Sequence, residues 1–122
     1  MATQLHSFCI KENDGHSLCL EFETRDGRVY GFPYVHLLNY LLEKKEENSD
    51  AGNNHPPERL SLWFSTHDVV VVGWRLDGLR FLLREGKVAC VTAQEPRYAN
   101  LNTQKPFVTE IVINEIKSSQ LE

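Results

Sequence analysis

Three cysteines and five histidines are the side chains in this sequence best suited to redox, metal or acid–base chemistry. Cys9 and Cys19 sit on two short strand-like runs, LHSFCIKE and HSLCLEFET, separated by the turn residues Asn13-Asp14-Gly15. If that turn is a three-residue hairpin loop, Glu12 opposes His16 and Cys9 falls opposite Cys19. The two thiols are then cross-strand neighbours at a non-hydrogen-bonded pair, with Cα atoms about 4.5 Å apart. Such a pair could cycle redox state or supply half of a metal site. Neither reading has a C-x-x-C spacing behind it, and two small thiols on the less buried face of a sheet are more often inert.

The histidines His6, His16, His36, His55 and His67 are scattered, and none forms H-E-x-x-H or another zinc spacing. His67 adjoins Asp68, and an imidazole beside a carboxylate can act as a general base. In a turn the same dipeptide more often bonds nearby backbone N–H groups. The chain also lacks G-x-G-x-x-G, G-x-x-x-x-G-K-[ST] and a nucleophile elbow. No catalytic residue, metal or cofactor is therefore assigned.

Binding chemistry has more to work with. Arg80, Arg84 and Lys87 recur at i, i+4 and i+7 and form a basic stripe, which reads either as a solvated helix face or as a dock for an acidic protein partner. Trp63 alternates with Leu62 and Phe64 and so points away from the core. Arg97 and Tyr98 lie together in a long polar loop and are residue types enriched at binding surfaces.

The elements that must position these groups are written twice. Residues 18–43, LCLEFETRDGRVYGFPYVHLLNYLLE, align without a gap to residues 60–85, LSLWFSTHDVVVVGWRLDGLRFLLRE, with ten identities in 26 positions. About two are expected by chance. Each copy reads as two strands and a helix. In the first, Pro33 opens a helix whose apolar stripe is Tyr34, Leu37, Leu38, Leu41 and Leu42. In the second, Leu76, Leu79 and Leu83 take the equivalent positions and Gly86 caps the end. Gly31 and Gly73 mark the strand-to-helix corners, where a β-carbon would obstruct a close approach. A polar linker, 46–58, joins the units, and the runs KVACVTAQ and FVTEIVINEI add flanking strands.

The expected fold is α+β and two-layered: a mainly antiparallel sheet with two helices, built from two ββα repeat units within a single domain spanning 1–122. Its expected core is Leu20, Phe22, Leu37, Leu41, Leu62, Phe64, Leu79 and Leu83. Val69 to Val72 form a strand that is apolar on both faces.

At 122 residues, 41% hydrophobic and 25% charged, the chain is globular, and no apolar run approaches the roughly 20 residues of a membrane helix. A net charge of -4 argues against nonspecific nucleic-acid binding. Residues 1–58 carry five Lys and Arg against ten Asp and Glu, whereas 59–122 carry eight against seven, so the acidity is confined to the first half. Three cysteines without a framework point to a reducing, cytoplasmic setting.

Helices on one side of a sheet leave the other side to be covered. The expectation is a non-catalytic interaction module, homodimeric through a face bearing Trp63, Val70, Val72, Cys9 and Cys19. The alternative is a small enzyme or small-ligand-binding protein with a pocket between the two units.

Overall fold

The computed structural model describes residues 9–44, 57–101 and 105–116. Most of the 46–58 linker lies outside these residues, as do His6 and His55. Among the described residues the chain forms eight strands and one α-helix: β1 (Ile10–Glu12), β2 (Cys19–Glu23), β3 (Val29–Pro33), β4 (Leu37–Glu43), β5 (Glu58–Phe64), β6 (His67–Trp74), α1 (Leu76–Arg84), β7 (Val88–Thr92) and β8 (Phe107–Glu115). The strands make two four-stranded sheets, ordered β1-β7-β2-β3 and β4-β5-β6-β8. All pairings are antiparallel except β2 with β7. The protein is α+β.

Alternation sets which way each strand faces. Leu20 and Phe22 of β2, Leu60, Leu62 and Phe64 of β5, and Val69 and Val71 of β6 are fully buried, while their chain neighbours point outward. The inner faces of the two sheets meet through aromatic rings. Phe32 of the first sheet stacks on Phe64 of the second at 4.5 Å between centroids, and Phe22 meets Phe64 edge-on at 6.1 Å. Leu76, Leu79 and Leu83 of α1 enter the same core.

The helix forms where its ends are satisfied. The Leu76 N–H donates to a carboxylate oxygen of Glu58 at 2.8 Å, so a residue of β5 supplies the cap that Arg75 does not. At the other end Gly86 takes φ of +70°, its N–H donates to the Leu83 carbonyl, and the Lys87 N–H donates to that of Leu82. This is the glycine closure expected for the segment.

The first unit does not form a helix. Its residues make a single 3-10 turn, Tyr34–His36, and then the edge strand β4. Alignment of the copies explains why. Arg80 and Arg84, on the wet side of α1, correspond to Leu38 and Leu42, and Gly86 corresponds to Lys44. A helix over 34–43 would be apolar on both sides and lack its C-cap, whereas a strand can pair with β5 and turn Tyr40 and Leu42 inward. Leu37 is accordingly half-buried and Leu41 exposed, so two of the eight expected core residues are not core. Among the described residues there is one α-helix, not two, and there are two sheets in place of one.

The expected ββα repeat fails in register as well as in element type. Glu21 faces Gly31 across β2 and β3, so Trp63 should face Gly73; it faces Asp68 instead, and Gly73 faces Glu58. The turns differ in length. β2 and β3 are joined by residues 24–28, with Gly27 at φ of +90°, whereas only Ser65 and Thr66 join β5 to β6. His67 and Asp68 therefore start a strand and do not form a turn.

The hairpin expected around Asn13-Asp14-Gly15 is also replaced. β7 inserts between β1 and β2, pairing antiparallel with one and parallel with the other. Loop closure by Asn13 N–H to the Lys87 carbonyl and Ser17 N–H to the Gly86 carbonyl, both 2.8 Å, ties the turn to the strand that displaced it.

The sheets join along one side through the continuous chain from β3 to β4. On the other side the contact is local: the Gln94 N–H donates to the Val108 carbonyl at 2.8 Å, and Val108 N–H donates to the Cys9 sulfur at 3.3 Å. Beyond Val108 the outer edge of β8 has no strand partner among the described residues.

Candidate functional site

The outward side chains of the second sheet form a grid that the register defines. Glu43, Arg59, Val72 and Glu110 make one row across the four strands; Leu41, Ser61, Val70 and Val112 make the next; Asn39, Trp63, Asp68 and Asn114 make the third. The middle row is apolar but for Ser61, and Trp63 and Val72 extend it diagonally. Leu41 is 48% and Val112 38% exposed, high values for large apolar side chains, while Trp63, Val70 and Val72 are half-buried by their neighbours. Polar and charged groups rim the patch, and Asp68 is fixed there by Asn114 at 3.1 Å.

Three of the five residues expected on the interaction face, Trp63, Val70 and Val72, do share this surface. Cys9 and Cys19 do not. Cys9 immediately precedes β1 of the first sheet, is buried, and exchanges hydrogen bonds with Val108. Burial pushes its thiol up to about 11. Cys19 is exposed and faces Pro33 across β2 and β3. The inserted β7 separates the strands that were to bring the two thiols together, so no cross-strand pair exists.

The third thiol, Cys90, lies on the outer face of the first sheet between Lys11 and Glu21, above a shallow groove of about 550 Å³. Its sulfur contacts the Thr92 hydroxyl at 3.8 Å, which in turn donates to Glu23 at 3.5 Å. Burial and then the carboxylates Glu21 and Glu23 raise its pKa, keeping it a thiol rather than a nucleophilic thiolate. Among the described residues no three His, Cys, Asp or Glu side chains come together as metal ligands.

His67 and Asp68 are successive strand residues and point to opposite faces. The His67 ring packs 5.1 Å from Phe32 and shares a hydrogen bond with the Thr66 hydroxyl at 2.8 Å, while Asp68 faces outward to Asn114. No dyad forms. His16 bonds the Glu85 carbonyl at 3.0 Å, a structural tie to the end of α1.

Two of the three members of the basic stripe, Arg80 and Arg84, have local partners. Arg80 pairs with Asp77 at 2.8 Å, and Arg84 lies 4.9 Å over the Phe81 ring and 3.3 Å from Glu85. Arg97 likewise pairs with Glu95 at 2.9 Å and covers the Tyr98 ring at 5.0 Å. These local contacts favour a solvated face over a dock at both places.

A cleft of about 350 Å³ opens between the turn joining β2 to β3 and the outer edge of β8, lined by Arg25, Arg28, Tyr30 and Ala93 on one side and residues 110–113 on the other. The only sequence signal for it is the pair of arginines around Asp26-Gly27, and its second wall is more than 80 residues away in the chain. Asp26 is committed within the turn: the Thr24 hydroxyl bonds it and, with Arg28 at 3.5 Å, holds its carboxyl below the usual range.

No protein family, curated protein or solved structure matches the chain. Among the described residues no helix is long and apolar enough to cross a membrane.

Proposed function

We propose that the protein is a non-catalytic interaction module that self-associates through the outer face of the β4-β5-β6-β8 sheet. The observation that carries this reading is the contiguous set Leu41, Val70, Val112, Trp63 and Val72 on one register-defined surface. Four strands about 4.8 Å apart and three outward rows about 6.8 Å apart span roughly 20 by 20 Å, so two such faces enclose about 800 Å² in projection, and the polar rim has to supply the rest of the roughly 1,000 Å² of a stable interface. A second copy presents the same apolar centre and polar rim, which makes the homodimer the simplest cover. The three free thiols fit a reducing cytoplasmic setting. An enzymatic reading finds less support: Cys90, which lines the groove of about 550 Å³ and lies between Lys11 and Glu21, is held as a thiol by burial and by the carboxylates beside it.

Sedimentation equilibrium tests the reading. A dimer is expected at micromolar concentration, weakened at least about tenfold by Trp63→Ala and abolished by Val70→Asp, since a central aromatic and a buried charge are the strongest levers on an interface. Cys19→Ala, on the other sheet, is expected to change nothing. A monomer up to about 100 µM, well above the affinity of ordinary specific pairs, would exclude the homodimer.

A further inference from the structure

The cleft beside β8 is bordered by a strand edge that is unpaired among the described residues. The Ile116 N–H donates to the Thr66 carbonyl at 2.9 Å, so alternation along β8 turns the main-chain groups of residues 114, 112 and 110 toward β6 and those of Ile111 and Ile113 away from it. On that side β8 is the end of its sheet. Hydrogen bonds from Gln94 and Cys9 meet it at Val108, and the cleft opens farther along β8. The gap lies alongside four consecutive residues of β8 and is walled by the arginine-bearing turn, Tyr30 and Ala93.

We propose that this cleft is a binding site for an extended peptide segment of another protein, which adds to β8 as a fifth strand and carries an acidic side chain toward the turn. The main-chain N–H and C=O groups of Ile111 and Ile113 supply the ladder, as in other strand-addition sites. Charge chooses the partner. Arg28 is already held by Asp26 and Tyr30, whereas Arg25 is exposed and pairs with none of the described residues. Glu110 lines the cleft from the outer face, opposing a second acid at that end, so the complementary acid sits beside the turn. The bound segment is short, about four to six residues at 3.3 Å each, to match the stretch of β8 in the cleft.

The cleft shares Glu110 and Val112 with the border of the self-association face but not Trp63 or Val70 at its centre, so the two are tested apart through those central residues. Amide hydrogen exchange is followed by NMR on the full chain with a blocked seven-residue peptide of alternating threonine and glutamate, and with its threonine-lysine counterpart. At saturation the glutamate peptide is expected to slow exchange at Ile111 and Ile113 about tenfold or more, and to bind about tenfold tighter than the lysine peptide. Arg25→Glu, in an exposed turn, is expected to invert that order. Ile113→Pro removes one donor at an edge position that tolerates proline, and is expected to abolish binding. Trp63→Ala is expected to leave it intact. Unchanged exchange at Ile111 and Ile113 with both peptides, an order of affinity indifferent to Arg25→Glu, or slowing produced by concentrating the protein alone would each overturn the proposal, the last because a second copy would then be the occupant.

Discussion

Gly73 and Phe107 approach so closely that a β-carbon on the glycine would stand 1.9 Å from the phenylalanine carbonyl oxygen. The register of β6 and β8 slips at this point, between Val72 and Gly73, and the bulge brings the backbones together just before the chain turns into α1. Gly31, its counterpart in the aligned sequence, has no such neighbour: a β-carbon there meets only the Glu21 side chain, at 3.6 Å. Gly73→Ala is therefore expected to cost at least about 3 kcal/mol and Gly31→Ala to stay within about 0.5 kcal/mol. Urea unfolding midpoints of the two variants check this, and equal losses would contradict the close approach.

The four leucines that align between the copies should separate in the same way. Leu79 is 0% and Leu83 4% exposed, so truncation of either to Ala is expected to cost about 2–5 kcal/mol. Leu41, on the outer face of β4, is expected to cost about 1 kcal/mol or less in the monomer. Comparable losses at Leu41 and Leu83 would mean that β4 packs as a core element.

The difference between the copies shows how far local pattern reaches. Apolar runs and turn residues predict β2, β3, β5, β6, β7 and β8; alternation marks the core face of β2 and β5, whereas β6 reads as apolar on both faces. The stripe through Leu37, Leu38, Leu41 and Leu42 satisfies a helical period and, with a bulge after Leu37, a strand period as well. Pairing with β5 decides between them, and that is tertiary information. The insertion of β7 between β1 and β2 is likewise a contact between segments some 70 residues apart, invisible to a turn motif read locally. Of the candidate site, Trp63 was legible because alternation with Leu62 and Phe64 turns it outward, and Val70 and Val72 because a strand apolar on both faces must turn some of its valines away from the core. The cleft was not, because its walls come from a turn and an edge strand that only the closed fold brings together.

The three cysteines are expected to react in an order set by burial. Cys19 is exposed, Cys90 is partly buried with a raised pKa, and Cys9 is buried with its thiol pushed up to about 11. Iodoacetamide labelling at neutral pH, read by peptide mass, should modify Cys19 first, Cys90 more slowly and Cys9 only on unfolding. A Cys9–Cys19 disulfide forming in the native protein under mild oxidant would contradict the insertion of β7.

Glu58 offers a test of how α1 is held. Its carboxylate accepts the Leu76 N–H from a neighbouring strand, while Arg75 sits at φ of 59° and makes no cap of its own. Glu58→Ala is expected to lower stability by about 0.5–2 kcal/mol, the usual cost of a lost cap, and Glu58→Gln to recover most of it because an amide oxygen can accept the same bond. Loss without rescue by Gln would assign the effect to charge.

Stability should fall on the alkaline side through two weak acids, the buried Cys9 and the half-buried Tyr34. The Tyr34 hydroxyl donates to the Val88 carbonyl at 2.8 Å and accepts the Val88 N–H at 3.1 Å, and burial pushes its pKa from 10.0 up to about 12. Cys9 moves from 9.0 to about 11, again chiefly through burial. Both folded-state values lie above the unfolded ones, so the folded protein holds these protons more tightly. Their contribution is complete below about pH 9, and it is lost as the unfolded chain ionises first, Cys9 between about pH 9 and 11 and Tyr34 between about pH 10 and 12. Denaturant titrations across that range are expected to show a declining midpoint. Cys9→Ala should flatten the decline from pH 9 to 11 and Tyr34→Phe from pH 10 to 12, each beginning from a lower stability at neutral pH because its hydrogen bonds to Val108 or Val88 are gone. An alkaline slope unchanged in both variants would show that neither group titrates with folding.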